Sequence, residues 1–230
     1  MQKILKIIIF VIILSAFFLT IWYYFDSKNK ILYNEKINMN TSENYNFVSD
    51  YIDFLITIDS TPYRESKLAS YQNNSQGLSE DLEKSISVLE NAKGYLEKWG
   101  NTNDQSKREI IDKGIKGVLD NIKMYQIWTD AIFRTDQESE QEKLFGQADS
   151  ISGKMKEEII RSGTLFAASN LSLTIEERLS LRQKLNQHFK SGIDEQKEYE
   201  KNNTKDYTLE TAVWPAIFLD TWLLDDKYHK

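Results

Sequence analysis

The sequence predicts an all-α protein: one N-terminal transmembrane helix followed by an antiparallel multi-helix bundle. Three observations lead there. A single apolar run fills residues 7–25, from Ile7 to Phe25, with only Ser15 and Thr20 as polar breaks. After it, only Pro62 and Pro215 interrupt the chain. The remaining apolar residues recur at helical spacing, and no segment alternates as a half-buried strand would.

The run predicts an anchor, residues 1–25, with the lipid bilayer as its partner through residues 7–25. About 19 helical residues reach roughly 28 Å, close to the hydrocarbon thickness of a bilayer. Trp22, Tyr23, Tyr24 and Phe25 close it with the rings that gather at membrane interfaces. A cleaved signal peptide fits less well. Its apolar core is usually 7–15 residues, and the one small residue suited to a cleavage site, Ala16, has Leu14 at its −3 position. Lysines flank both sides equally, but a short basic tail resists translocation while a long domain crosses largely regardless of charge. The expected topology is N-terminus inside and domain outside, at a bacterial cytoplasmic or inner membrane. The bacterial part rests on a lysine-, asparagine- and isoleucine-rich composition.

Charge and cysteine usage bound the exterior part. Lys3, Lys6, Lys28 and Lys30 against Asp26 put +3 on the first thirty residues, so the chain's net −6 leaves −9 beyond them. An acidic domain without a basic strip predicts no nucleic-acid partner. The absence of cysteine removes disulfides, thiol nucleophiles and cysteine-ligated metals. Some 200 residues suffice for one substantial core.

Residues 26–42 read as a polar stalk and residues 43–225 as the bundle. The first helix is expected over 43–59, with Tyr45, Val48, Ile52 and Leu55 beside Phe47, Tyr51, Phe54 and Ile58, a face wide enough for two neighbours. Thr61-Pro62 reads as a cap and first-turn proline opening a short helix through Tyr63, Leu68 and Tyr71. Residues 73–77 read as a loop, with Ser79 capping a helix that carries Leu82, Ile86, Leu89, Ala92, Leu96 and Trp99. The most regular periodicity follows over 104–134: Ile111, Ile115, Val118, Ile122, Tyr125, Thr129 and Ile132 alternate steps of four and three. Gly114 and Gly117 beside that seam are either tolerated or mark a close backbone crossing. A helix over 137–163 carries Leu144, Ala148, Ile151, Met155 and Ile159. Thr174 and Glu177 form a capping box opening a helix with Leu179, Leu181, Leu185 and Phe189. The last element, 207–224, is the most apolar, and residues 226–230 read as a frayed tail.

Chemistry finds little foothold. His188 lacks a carboxylate three or four residues away and reads as a rim residue; His229 falls in the tail. Glu65-Ser66 resembles the catalytic Glu-Ser pair of cell-wall lytic transglycosylases, but the glycine-rich elements expected downstream are replaced by residues 73–77. Glu65 is therefore a first-turn helix carboxylate. No catalytic, cofactor-binding or metal residue is assigned, and no cofactor is expected. The one unusual segment is the aromatic stripe Trp214, Phe218 and Trp222. It either closes the core or docks a protein partner or a second copy. The expected function is a membrane-anchored, non-catalytic interaction or scaffold module. A ligand-sensing bundle signalling through a membrane partner is the alternative, and a carboxylate-dependent envelope hydrolase comes third.

Overall fold

The structure is a computed structural model and describes residues 42–63, 74–202 and 211–229. The anchor at 7–25, the stalk up to residue 41, the segment 64–73 with Glu65, and residues 203–210 lie outside the described residues. Among the described residues no helix is long and apolar enough to cross a membrane.

Those residues are all-helical and contain no strand. The bundle comprises α1 (Glu43–Asp59), α2 (Ser75–Glu97), α3 (Gln105–Phe133), α4 (Glu138–Thr164), α5 (Ile175–Asn202) and α6 (Val213–Leu224). Two 3-10 turns, Leu165–Ala168 and Asp226–Tyr228, follow α4 and α6.

Helix α1 has the bounds its sequence predicts. Ser42 caps it by accepting the Tyr45 N–H at 3.0 Å. Both apolar stripes are used: Phe47, Val48, Tyr51, Ile52, Phe54, Leu55 and Ile58 are buried, against α2, α5 and α6. An interior helix needs this wide apolar face, and α1 is the axis of the fold.

The next segment departs from expectation. Residues 61–63 are irregular, with the Tyr63 N–H donating to Ser85 Oγ at 2.9 Å, and the rest of the short helix expected through Leu68 and Tyr71 lies outside the described residues. Residues 75–77 are not a loop. Asn74 accepts the Gly77 N–H at 2.9 Å, so α2 starts a turn earlier than a Ser79 cap would place it. Asparagine caps as well as serine, and a first-turn glycine costs little once that bond is made.

Asp104 caps α3 by accepting the Ser106 and Lys107 N–H groups. Of its seam, Ile111, Val118, Ile122 and Tyr125 are buried, while Ile115, Thr129 and Ile132 are half-buried. Helices α3 and α4 make the most extensive pairing. They are antiparallel, since Lys113 and Lys116 near the start of α3 both reach Glu158 near the end of α4. Gly117 marks a close crossing: a Cβ there would stand 2.4 Å from Ile159 Cγ1 and 3.1 Å from the Ile159 amide nitrogen.

The capping box of α5 forms reciprocally. Glu177 N–H donates to Thr174 Oγ1 at 3.2 Å, and Thr174 N–H to Glu177 Oε2 at 2.9 Å. The other Glu177 oxygen accepts the Ser42 N–H at 2.9 Å. One carboxylate therefore holds the starts of both α1 and α5. Leu181, Leu185, Phe189 and Ile193 bury the inner face of α5. Leu179 does not join them and is 62% exposed. It lies two residues from Leu181, about 200° around the helix, so the two cannot share a face.

Candidate functional site

Helix α6 carries the predicted docking residues, and it is seated from three sides. Pro215 lies on Gly163 of α4, where a Cβ would come within 2.5 Å of the proline Cβ and 2.6 Å of its Cα. On the α5 side two arginines one turn apart grip it. Arg182 Nε donates to Asp220 Oδ1 at 2.7 Å. Arg178 donates to the Leu223 carbonyl at 3.3 Å and to Asp226 Oδ1 at 2.6 Å. Asp220 is only 2% exposed, and a carboxylate buried that deeply is tolerated because a guanidinium meets it. These pairs set α5 and α6 antiparallel, with residue 178 beside 223 and residue 182 beside 220.

The aromatic stripe is divided. Trp222 is 1% exposed. It packs on Phe166, ring centroids 5.2 Å apart, and Phe166 continues the stack to Tyr51 at 4.8 Å. Trp214 is half-buried and Phe218 is 36% exposed; their rings lie 6.5 Å apart. Helical geometry explains the split. Each four-residue step advances 400°, so the stripe drifts about 40° per step and about 80° from Trp214 to Trp222. Trp222 turns into the core while the first two members stay outside.

Residues 226–229 are tied to the bundle. Residues Asp226–Tyr228 form a 3-10 turn, Asp226 is held by Arg178, and the His229 ring packs on Trp222 at 4.5 Å. His229 Nε2 reaches the Trp222 carbonyl at 3.0 Å. Burial pulls the His229 pKa below its ordinary value, with the bond to the Trp222 carbonyl opposing and the nearby Arg178 charge assisting. Glu177 is also shifted down: burial pushes its pKa up, but hydrogen bonds from Ser42 and Thr174 outweigh that.

These two shifts predict acid destabilisation in two steps. A depressed histidine pKa means the unfolded chain takes up the proton first, so stability falls as pH drops from about 6.5 through the folded value. The carboxylate contribution is complete above its unfolded pKa of about 4.3 and is lost as pH falls through its lower folded value. In chemical melts across pH 3–8, His229→Phe should remove the upper step and Glu177→Gln should weaken the lower one. Unchanged profiles would refute this assignment.

Of the other candidates His188 is described, and Glu65 lies outside the described residues. His188 sits at the rim, Nε2 2.9 Å from Asp59 Oδ2. Among the described residues no three metal-ligating side chains gather. The carboxylates with resolved shifts, Glu158, Glu177 and Asp225, all move downward, opposite to the raised value a general acid uses at neutral pH. An open depression lined by Thr57, Asn91, Gly94, Tyr95 and Lys98 lies away from α6.

Sequence reasoning missed the arginine pair and its acidic partners. Arg178 and Arg182 are separated from Asp226 and Asp220 by 48 and 38 residues, and nothing local marks the match. Comparisons of the chain with family models, with curated proteins and with solved structures give no match.

Proposed function

We propose that this chain is a non-catalytic interaction module, tethered by a single N-terminal helix to a bacterial cytoplasmic membrane with its helical domain on the outer side. The observation that carries the proposal is the apolar run from Ile7 to Phe25, long enough to span a bilayer and closed by an aromatic belt. The outward pair Trp214 and Phe218 supports α6 as the surface that meets a protein partner or a second copy. A core helix held on three sides presents two large rings there with little freedom left to lose, as interface anchors do.

The tether predicts a mature N-terminus that retains Met1 or Gln2 and a protein that resists carbonate but dissolves in detergent. Sequencing that begins near Phe17 or Ser27 would end the anchor reading. For the surface, the double change Trp214→Ala and Phe218→Ala should lower stability by no more than about 1–2 kcal/mol, because neither ring is fully buried. Crosslinking in native membranes should then lose the adducts of the unaltered chain. Retained adducts would remove α6 from the proposal.

A further inference from the structure

The three most exposed large apolar side chains among the described residues lie together. Ile175 and Leu179 are each 62% exposed and Leu224 is 51% exposed, ahead of Leu119, Phe145, Phe133 and Phe218. Ile175 and Leu179 are four residues apart and share one side of α5. Leu179 follows Arg178, Leu224 follows Leu223, and Arg178 donates to the Leu223 carbonyl. This is also where the described chain begins, because the Ser42 N–H is bonded to Glu177, between Ile175 and Leu179 in sequence.

We propose that Ile175, Leu179 and Leu224 form a membrane-contact face that rests on the zwitterionic lipid surface of the bilayer holding the anchor. The inference builds on the tether in the proposed function and adds how the domain lies. What precedes Ser42 identifies the occupant: the apolar run, then a polar stalk over residues 26–41 that even fully extended reaches no more than about 55 Å. A tether of that length keeps this end of the bundle at high effective concentration against the lipid, so a small apolar face is enough to orient it. The same face is too small for a second copy, since three partly exposed aliphatic side chains fall far short of the roughly 800 Å² per partner of a stable interface.

The surroundings match a lipid headgroup layer without net charge. Lys227 lies 4.5 Å from the Tyr228 ring centroid, a lysine and a tyrosine of the kind found at membrane interfaces. Glu176, Asp225 and Asp226 outnumber Arg178 and Lys227 at this end, which argues against an anionic lipid surface.

The absence of cysteine makes a direct test possible. The full chain carries a single Leu179→Cys, or Phe145→Cys on α4 as control, labelled with a small fluorophore. It is reconstituted in phosphatidylcholine vesicles containing a headgroup-proximal spin-labelled lipid. Flotation after carbonate treatment of the same sample reads the tether separately. The expected result is at least three-fold stronger quenching at 179 than at 145. Adding Ile175→Asp and Leu224→Asp should bring it to the control level with flotation and helical dichroism unchanged. Replacing a third of the lipid with phosphatidylglycerol should not increase quenching. Intact flotation with equal quenching at both positions would overturn the face while sparing the tether. Quenching that rises with anionic lipid, or shielding of position 179 that scales with protein concentration in detergent, would also overturn it. Loss of flotation in the unaltered chain would overturn the tether, and the face with it.

Discussion

Trp222→Ala is expected to destabilise the domain by about 3–5 kcal/mol, the usual cost of truncating a buried aromatic. At about 2–4 °C per kcal/mol for a domain of this size, melting should fall by roughly 10 °C. The indole is 1% exposed and sits between Phe166 and His229, so its removal opens a cavity that a hydrogen-bonded turn on one side and a core phenylalanine on the other are poorly placed to fill. The indole N–H has no hydrogen-bond partner among the described residues. Trp222→Phe should therefore keep most of the stability, because ring volume rather than a polar bond is what the site uses. If alanine melts like the unaltered chain, Trp222 is not part of the core. If phenylalanine is as damaging as alanine, the packing argument fails.

Ile122→Asp should cost more, about 4 kcal/mol or above at pH 7, by putting a carboxylate into the seam where α3 packs on its neighbours. This change carries its own signature. An aspartate at a site 6% exposed is driven toward its neutral form, so its folded pKa rises above the ordinary 3.9 or so. The penalty is then smallest below that value and grows as pH rises through the raised one. The gap in stability between mutant and parent, measured by denaturant titration, should widen from pH 4 to pH 7. A gap that is constant with pH would mean the side chain has escaped to water.

Wherever local sequence and burial point the same way, the fold was legible. Helix α1, the α3 seam and the Thr174–Glu177 capping box all follow from residues within a few positions of one another. The start of α2 was misplaced because Asn74 and Ser79 are equally good caps, and only the bond to Gly77 decides between them. Leu179 is carried by α5 as expected, but its spacing from Leu181 turns it outward, to 62% exposed. Phe166 went unnoticed in the core because a 3-10 turn carries no periodicity to read. Of the ties on residues 226–229, that from Arg178 to Asp226 spans 48 residues and leaves no local signal, while that from His229 to Trp222 spans seven. The aromatic stripe was the one unusual signal, and its division between core and surface needed the helix's neighbours as well as its spacing.

The bond from Ser42 to Glu177 closes a loop of 135 residues. Among the described helices α1 is made first, and the side of it that meets α5 is among the last to be covered. Contacts this distant in sequence are slow to form, because loop-closure entropy must be met before they stabilise anything. The nascent chain accordingly carries an uncovered side of α1, with Val48 and Ile52 beside Tyr45, Ser49 and Asp53, until α5 supplies the partners Ser180 and Lys184. A truncation ending at residue 170 should bind a hydrophobic dye and aggregate, whereas the whole chain should not. In this protein one side of the first described helix waits for a partner, α5, that is made more than a hundred residues later.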